Sequence, residues 1–286
     1  MSESLQTPHG GTRLGLVLGG GAALGAAHAG ILQTLDEAGV RCSVVVGTSA
    51  GALIGGGYAA GLTGGELTKL VLAAQWSTFA QWHPNRRWGL LDSSPLERSI
   101  EEYVGTRLIE DLERRFGAVA FDPLARELVL IESGSLATAL RASCAVPGLF
   151  PPVRVDGRLL VDGGVSDNVP VWAARKLGAD YVIAVGVDSG PATNTGVAAR
   201  VLDTVSGAHR ARERDIPRAA AAADVFIRPD TRGLSRWTPK DVPRLVDAGR
   251  RAMESSLQEI YQLSQVPRPL TKPLHLDSGW IDCMIS

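Results

Sequence analysis

Residues 13–61 read RLGLVLGGGAALGAAHAGILQTLDEAGVRCSVVVGTSAGALIGGGYAAG. Residues 13–19 (RLGLVLG) form an apolar run ending in glycines, the pattern of a short buried strand. The glycines open a loop that enters a helix over residues 25–38, and Gly39 stands where a helix-ending C′ glycine belongs. Residues 42–46 (CSVVV) are rich in β-branched side chains and predict a second strand, and a helix over 50–60 follows after a very short turn. Strand, helix, strand, helix with short links predicts parallel strands joined by right-handed crossovers. The fold class is therefore α/β.

Outward from this stretch the pattern is less regular. Residues 76–92 hold Trp76, Phe79, Trp82, Trp88, Leu90 and Leu91 in a loop-like run, an apolar set suited to an acyl-binding mouth or, equally, to packing in the core. Further strands are expected at 126–132, 157–161, 181–187 and 224–230, with helices over 169–177 and within 196–222. Thr238 and Pro239 make an N-cap and N1 pair for a helix running to residue 263. No linker separates two units, so one domain is expected over 13–265, with a polar tail at 1–12 and a second tail at 266–286.

Composition narrows the classes of function. With 45% hydrophobic and 21% charged residues, the chain is not globally disordered. A formal charge of -1 gives no net field to attract nucleic acid or an anionic membrane. Three scattered cysteines, Cys42, Cys144 and Cys283, form no zinc spacing and fit reduced thiols in a cytoplasmic protein. Residues 1–12 lack the apolar core of a signal peptide, and no apolar run is long enough to span a bilayer. Any contact with membrane is expected to be peripheral.

Three elements carry chemistry. Gly47-Thr48-Ser49-Ala50-Gly51 lies between a valine-rich strand and a helix, which puts a serine hydroxyl on a sharp turn at the end of a sheet. Read alone, this is equally a Gly/Ser-rich turn; the strand–turn–helix context makes Ser49 a candidate nucleophile. Gly19-Gly20-Gly21 ends the first strand before a helix, where successive amides form an anion-binding concavity and, beside a nucleophile, an oxyanion hole. A dinucleotide loop would need glycine at position 24, which is Leu24, and a carboxylate after the second strand, which is absent. Asp162-Gly163-Gly164 follows the 157–161 strand and supplies a candidate base. The histidines fit that role poorly. His9 is in a polar tail, His83 in the aromatic run, and His28 on the first helix, where a packed structural role is expected. His209 and His275 follow Asp162, which leaves a Ser–Asp–His order open beside a Ser49–Asp162 dyad.

The segments GGGAALGAAHAGIL, GTSAGALIGGGYAAG, ASCAVPGLFPPV and DGGVSDNVPV, in this order, resemble bacterial patatin-like phospholipases over residues 14–253. The resemblance implies a three-layer α/β/α fold with a mainly parallel central sheet. It also implies a lipid or acyl-ester substrate, Ser49 as nucleophile, Asp162 as general base, and Gly20, Gly21 and Ala22 as oxyanion donors. No cofactor or metal is implied. The chain departs from the family's G-G-G-x-[Arg/Lys]-G at two positions, with Ala22 for the third glycine and Leu24 for the basic residue. Ala22 is tolerated unless the position needs positive φ. Leu24 predicts a weaker electrostatic preference for anionic head groups.

Overall fold

The computed structural model describes residues 12–74, 81–82, 91–188, 208–235 and 239–265, with the backbone alone at 81–82, 208–214, 239 and 264–265. Three strands form the centre of the sheet: β1 (Leu14–Leu18), β2 (Val44–Thr48) and β5 (Arg115–Asp122). A further parallel strand, β9 (Tyr181–Val185), flanks β1. All five residues of β1, of β2 and of β9 are buried, which is why they read as near-continuous apolar runs rather than alternating ones. The order is β10-β9-β1-β2-β5-β8-β7, with β10 at Val225–Ile227, β8 at Arg158–Asp162 and β7 at Val153–Val155; β6 (Glu127–Ile131) pairs with β5. The five strands from β10 to β5 run parallel, and β6, β7 and β8 add antiparallel partners beyond them. A two-residue pair, β3 (Gln81–Trp82) with β4 (Leu91–Asp92), stands apart.

Helices cover both faces. On one lie α1 (Ala26–Glu37), α2 (Ala50–Ala59), α3 (Gly64–Ala73), α5 (Leu136–Ser143) and the long α8 (Val242–Gln265), around a core that includes Leu16, Leu18, Leu32 and Phe116. On the other lie α6 (Val171–Lys176) and α7 (Ala208–Ala222), around Val17, Val44, Val46 and Val182. α4 (Ser94–Val104) packs on α5. The sheet with helices on both faces is the three-layer arrangement expected from the sequence.

Several boundaries differ from expectation. The second strand lies two residues later than its CSVVV core, because Gly47 and Thr48 stay in register with Ala118 and Val119. The sheet therefore reaches to the residue before Ser49. β5 and the helices α3, α4 and α5 have no counterpart in the sequence reading. Thr238 lies outside the described residues, as do 1–11 and 266–286; α8 is preceded by a 3₁₀ turn at Pro239–Asp241.

Candidate active site

Between the last residue of β2 and the first of α2 there is one residue, Ser49. To turn so sharply it takes φ 53° and ψ −124°, a left-handed conformation that disfavours any residue with a Cβ. Glycines make the turn possible: a Cβ on Gly51 would lie 2.0 Å from the Leu18 carbonyl oxygen, so the start of α2 packs directly on β1 backbone. The N-terminus of α2 directs its unpaired amides and partial positive charge at the same point. At this φ the Ser49 amide leaves the strand ladder, and it donates instead to Ser143 Oγ at 2.9 Å.

Strand register brings the second residue to the first. Thr48 pairs with Val119 and Ala120 pairs with Asp162, so Ser49 and Asp162 stand one row beyond Thr48, on either side of β5 at Ala120. Beyond Asp162 the chain runs back past Val119, and at Gly163 a Cβ would be 2.6 Å from the Val119 carbonyl oxygen. Asp162 is 5% exposed; its carboxylate accepts the Gly164 amide at 2.7 Å, and the Ser49 side chain is near enough to favour its charged form. Burial outweighs both and pushes its pKa up from 3.8 to about 6. A carboxylate titrating there is charged at neutral pH yet basic enough to take a proton.

The glycine loop lies against both. Gly20 is so close to Ser49 that a Cβ on it would sit 3.1 Å from the serine Cβ. The Gly20 amide donates to the Asn168 carbonyl oxygen at 3.3 Å, and Asn168 Nδ2 returns a bond to the Gly20 carbonyl at 2.9 Å. Gly20 is thereby engaged in holding the loop. Gly21 caps the 3₁₀ turn Ala22–Gly25 and Ala22 opens it, and their amides have no acceptor among the described residues. Ala22 takes φ 51°, so the position where the family has glycine does require the left-handed region here. His28 is 0% exposed and its Nε2 lies 2.7 Å from the Gly19 carbonyl oxygen, which it tethers from behind. Burial lowers its pKa from 6.5 to about 4, so the ring is neutral, as a structural histidine should be. Leu24 is 0% exposed and belongs to the core. Its side chain packs into the interior and offers no charge to a head group.

Three residues escaped the sequence reading although they sit inside motifs that it quoted. Ser143, fully buried, holds the Ser49 amide and donates to the Val119 carbonyl oxygen at 2.7 Å. Cys144 follows it; burial and the Asp162 charge raise its thiol pKa well above the usual range, against a hydrogen bond to Ser49. Asn168 is anchored in turn by Asp215 of α7, which accepts its amide at 2.9 Å. His275, His9 and His83 lie outside the described residues, and of His209 only the backbone is described. Trp76, Phe79, Trp88 and Leu90 of the aromatic run also lie outside. Its far end, Leu91, donates its amide to the Leu149 carbonyl oxygen at 2.9 Å, in the loop after Cys144. Among the described residues no group of three or more His, Cys, Asp or Glu could hold a metal ion. No described helix is long and apolar enough to cross a membrane.

Comparison with known proteins agrees with this geometry. The family described as patatin-like phospholipase matches residues 16–175. An uncharacterised NTE family protein of Mycobacterium tuberculosis is 37% identical over 191 residues, covering 63% of this chain and 51% of its own. Lysophospholipase NTE1 of the yeast Scheffersomyces stipitis is 34% identical over 183 residues, 62% of this chain and 12% of its own. The chain thus spans about half the length of the mycobacterial relative and far less of the yeast one. Among solved structures, VipD from Legionella pneumophila superposes with a TM-score of 0.54 at 17% identity, over 87% of this chain and 67% of VipD.

Proposed function

Since the chain belongs to the patatin-like phospholipase family, we propose that it is a serine-dependent lipid acyl hydrolase working through a Ser49–Asp162 dyad. The observation that carries this reading is the strand register that brings Ser49, held in a strained turn, beside the buried Asp162 carboxylate, whose pKa burial raises to about 6. Ser49 Oγ attacks the ester carbonyl carbon while its proton passes to Asp162. The carbonyl oxygen becomes an oxyanion facing the amides of Gly21 and Ala22, with Gly20 holding the loop, in the field of the α1 and α2 N-termini. As the tetrahedral intermediate collapses, Asp162 returns the proton to the departing alcohol, leaving an acyl ester on Ser49. Water then attacks with Asp162 again as base, releasing the fatty acid and restoring the serine. The mechanism uses no cofactor or metal.

The substrate is a carboxylic ester of a lipid, of the phospholipid, lysophospholipid or simple-ester type. The lysophospholipase name of the yeast relative supports the lysophospholipid member of that set. We also place an acyl-binding mouth at the aromatic run; support comes from its described last residue, Leu91, whose amide bonds to Leu149 in the loop after Cys144. The enzyme meets its lipid by peripheral contact, and nucleic acid is no partner. A panel of acyl esters, lysophospholipids and diacyl phospholipids, assayed with wild type and Ser49→Ala, tests the reading. Hydrolysis of at least one class by wild type alone is expected; equal hydrolysis by Ser49→Ala would refute it. His209→Ala and His275→Ala should keep most of the activity. Loss as complete as in Ser49→Ala would replace the dyad with a triad.

A further inference from the structure

The dyad members stand at the carboxyl ends of different strands, Ser49 just after β2 and Asp162 closing β8, with β5 between them. One three-residue stretch at the end of α5 touches both. Ser143 Oγ accepts the Ser49 amide at 2.9 Å and donates to the Val119 carbonyl oxygen at 2.7 Å. Two residues on, the Ala145 carbonyl oxygen accepts the Asp162 amide at 3.0 Å. The Ser143 hydroxyl thus has its donor and an acceptor lone pair committed to backbone groups, in a site that is 0% exposed. Ser49, turned out of the ladder by its positive φ, gives its amide to this hydroxyl instead of to a strand neighbour.

We propose that Ser143 is the positioning residue of the dyad. It locks Ser49 in the left-handed turn and, through Val119 and the adjoining Ala145–Asp162 bond, sets the gap between nucleophile and base. This rests on the dyad reading. Without the hydroxyl, the Ser49 amide seeks water or another acceptor, the turn relaxes toward ordinary φ, and Oγ swings away from Asp162. Misplacement on the order of 1 Å at a reacting group can lower the rate about 100-fold.

The test is Ser143→Ala, assayed on a short water-soluble ester and titrated with a fluorophosphonate that counts reactive Ser49 sites. The expected result is a full complement of sites, each slower by about 10- to 100-fold in kcat and in labelling rate, with KM within about twofold. Unchanged per-site rates would overturn the proposal. So would a loss explained wholly by fewer titratable sites, the mark of a merely structural role. Ser143→Cys keeps the shape and weakens both bonds, so its per-site rate should fall between wild type and alanine. If the alanine variant does not fold, a cysteine variant with the wild-type per-site rate overturns the proposal instead. Wild type that gains no adduct on Ser49 sinks the dyad reading, whereas normal labelling in both wild type and Ser143→Ala sinks this inference alone.

Discussion

Two strand-to-helix turns stand side by side at the carboxyl ends of β1 and β2, and each holds a non-glycine residue at positive φ: Ala22 at 51° and Ser49 at 53°. Both share a positive φ, but in the proposed mechanism their side chains matter differently. There Ser49 needs its Cβ to carry the hydroxyl to Asp162, whereas Ala22 contributes its amide and has no use for a Cβ at positive φ. The neighbours differ in the same sense. The Ser49 turn is held by a dedicated hydrogen bond from its amide to the buried Ser143. The Ala22 amide has no acceptor among the described residues, as a donor awaiting an oxyanion should. Strain is thus locked in where a side chain must be aimed and merely tolerated where backbone suffices.

The largest effects should come from the second turn and its partner. Ser49→Ala and Asp162→Asn should each lower turnover by about 10⁴-fold or more, measured on any ester that wild type cleaves. Ala22→Gly should leave it within a few-fold. A comparable loss in Ala22→Gly would mean that the methyl group has a role and that the two turns are more alike than their chemistry implies.

A pH effect sharpens the contrast between holding and reacting groups. The Asp162 carboxyl is raised from 3.8 to about 6, so its favourable share of stability is present below pH 3.8 and lost as pH rises through about 6. The resulting penalty at pH 7 is on the order of 3 kcal/mol. Asp162→Asn should therefore be more stable than wild type by roughly that much in urea at pH 7, with little difference at pH 4. His28 runs oppositely. Its pKa falls from 6.5 to about 4, so its contribution is full above pH 6.5 and lost as pH drops through about 4. In wild type the two largely offset between pH 6.5 and 4; in Asp162→Asn the His28 loss stands alone, and stability should fall more steeply with acid. Equal stabilisation by Asp162→Asn at pH 4 and pH 7 would show that burial of charge is not its cause.

Activity should follow the same carboxyl. The acid limb of kcat/KM should rise through about pH 6, where Asp162 loses its proton. A limb near the ordinary aspartate value would place the base in a wetter site than this one.

The smallest effect concerns Ala22 alone. Glycine keeps the left-handed conformation without the Cβ penalty of about 1–2 kcal/mol, against about 0.4–1 kcal/mol of added unfolded-state entropy. Ala22→Gly should therefore be more stable by about 0.5 kcal/mol, readable as a small rise in the denaturation midpoint. A loss of stability would mean that the methyl group packs usefully.

The units that could be read from sequence were those whose signal is local. β1, α1, β2 and α2 announce themselves through apolar runs and flanking glycines, and Ser49 falls at their junction. β5 did not, because RFGAVAFD spreads its apolar positions among Arg115, Gly117 and Asp122 and carries a single valine, although it is the strand that separates Ser49 from Asp162. α3 was missed despite a readable sign: Thr63 and Glu66 form a reciprocal capping box. Ser143 and Asn168 could not be found by such means. Their partners Ser49 and Gly20 lie 94 and 148 residues away, and only the closed sheet brings them together.

The dyad can be tested in one measurement: incubate folded wild type and Asp162→Asn with a fluorophosphonate and locate the adduct by peptide mass spectrometry. The account predicts a stoichiometric adduct on Ser49 in wild type and labelling slowed by orders of magnitude in Asp162→Asn. An adduct on another residue, or equal labelling of Ser49 in both proteins, would contradict it.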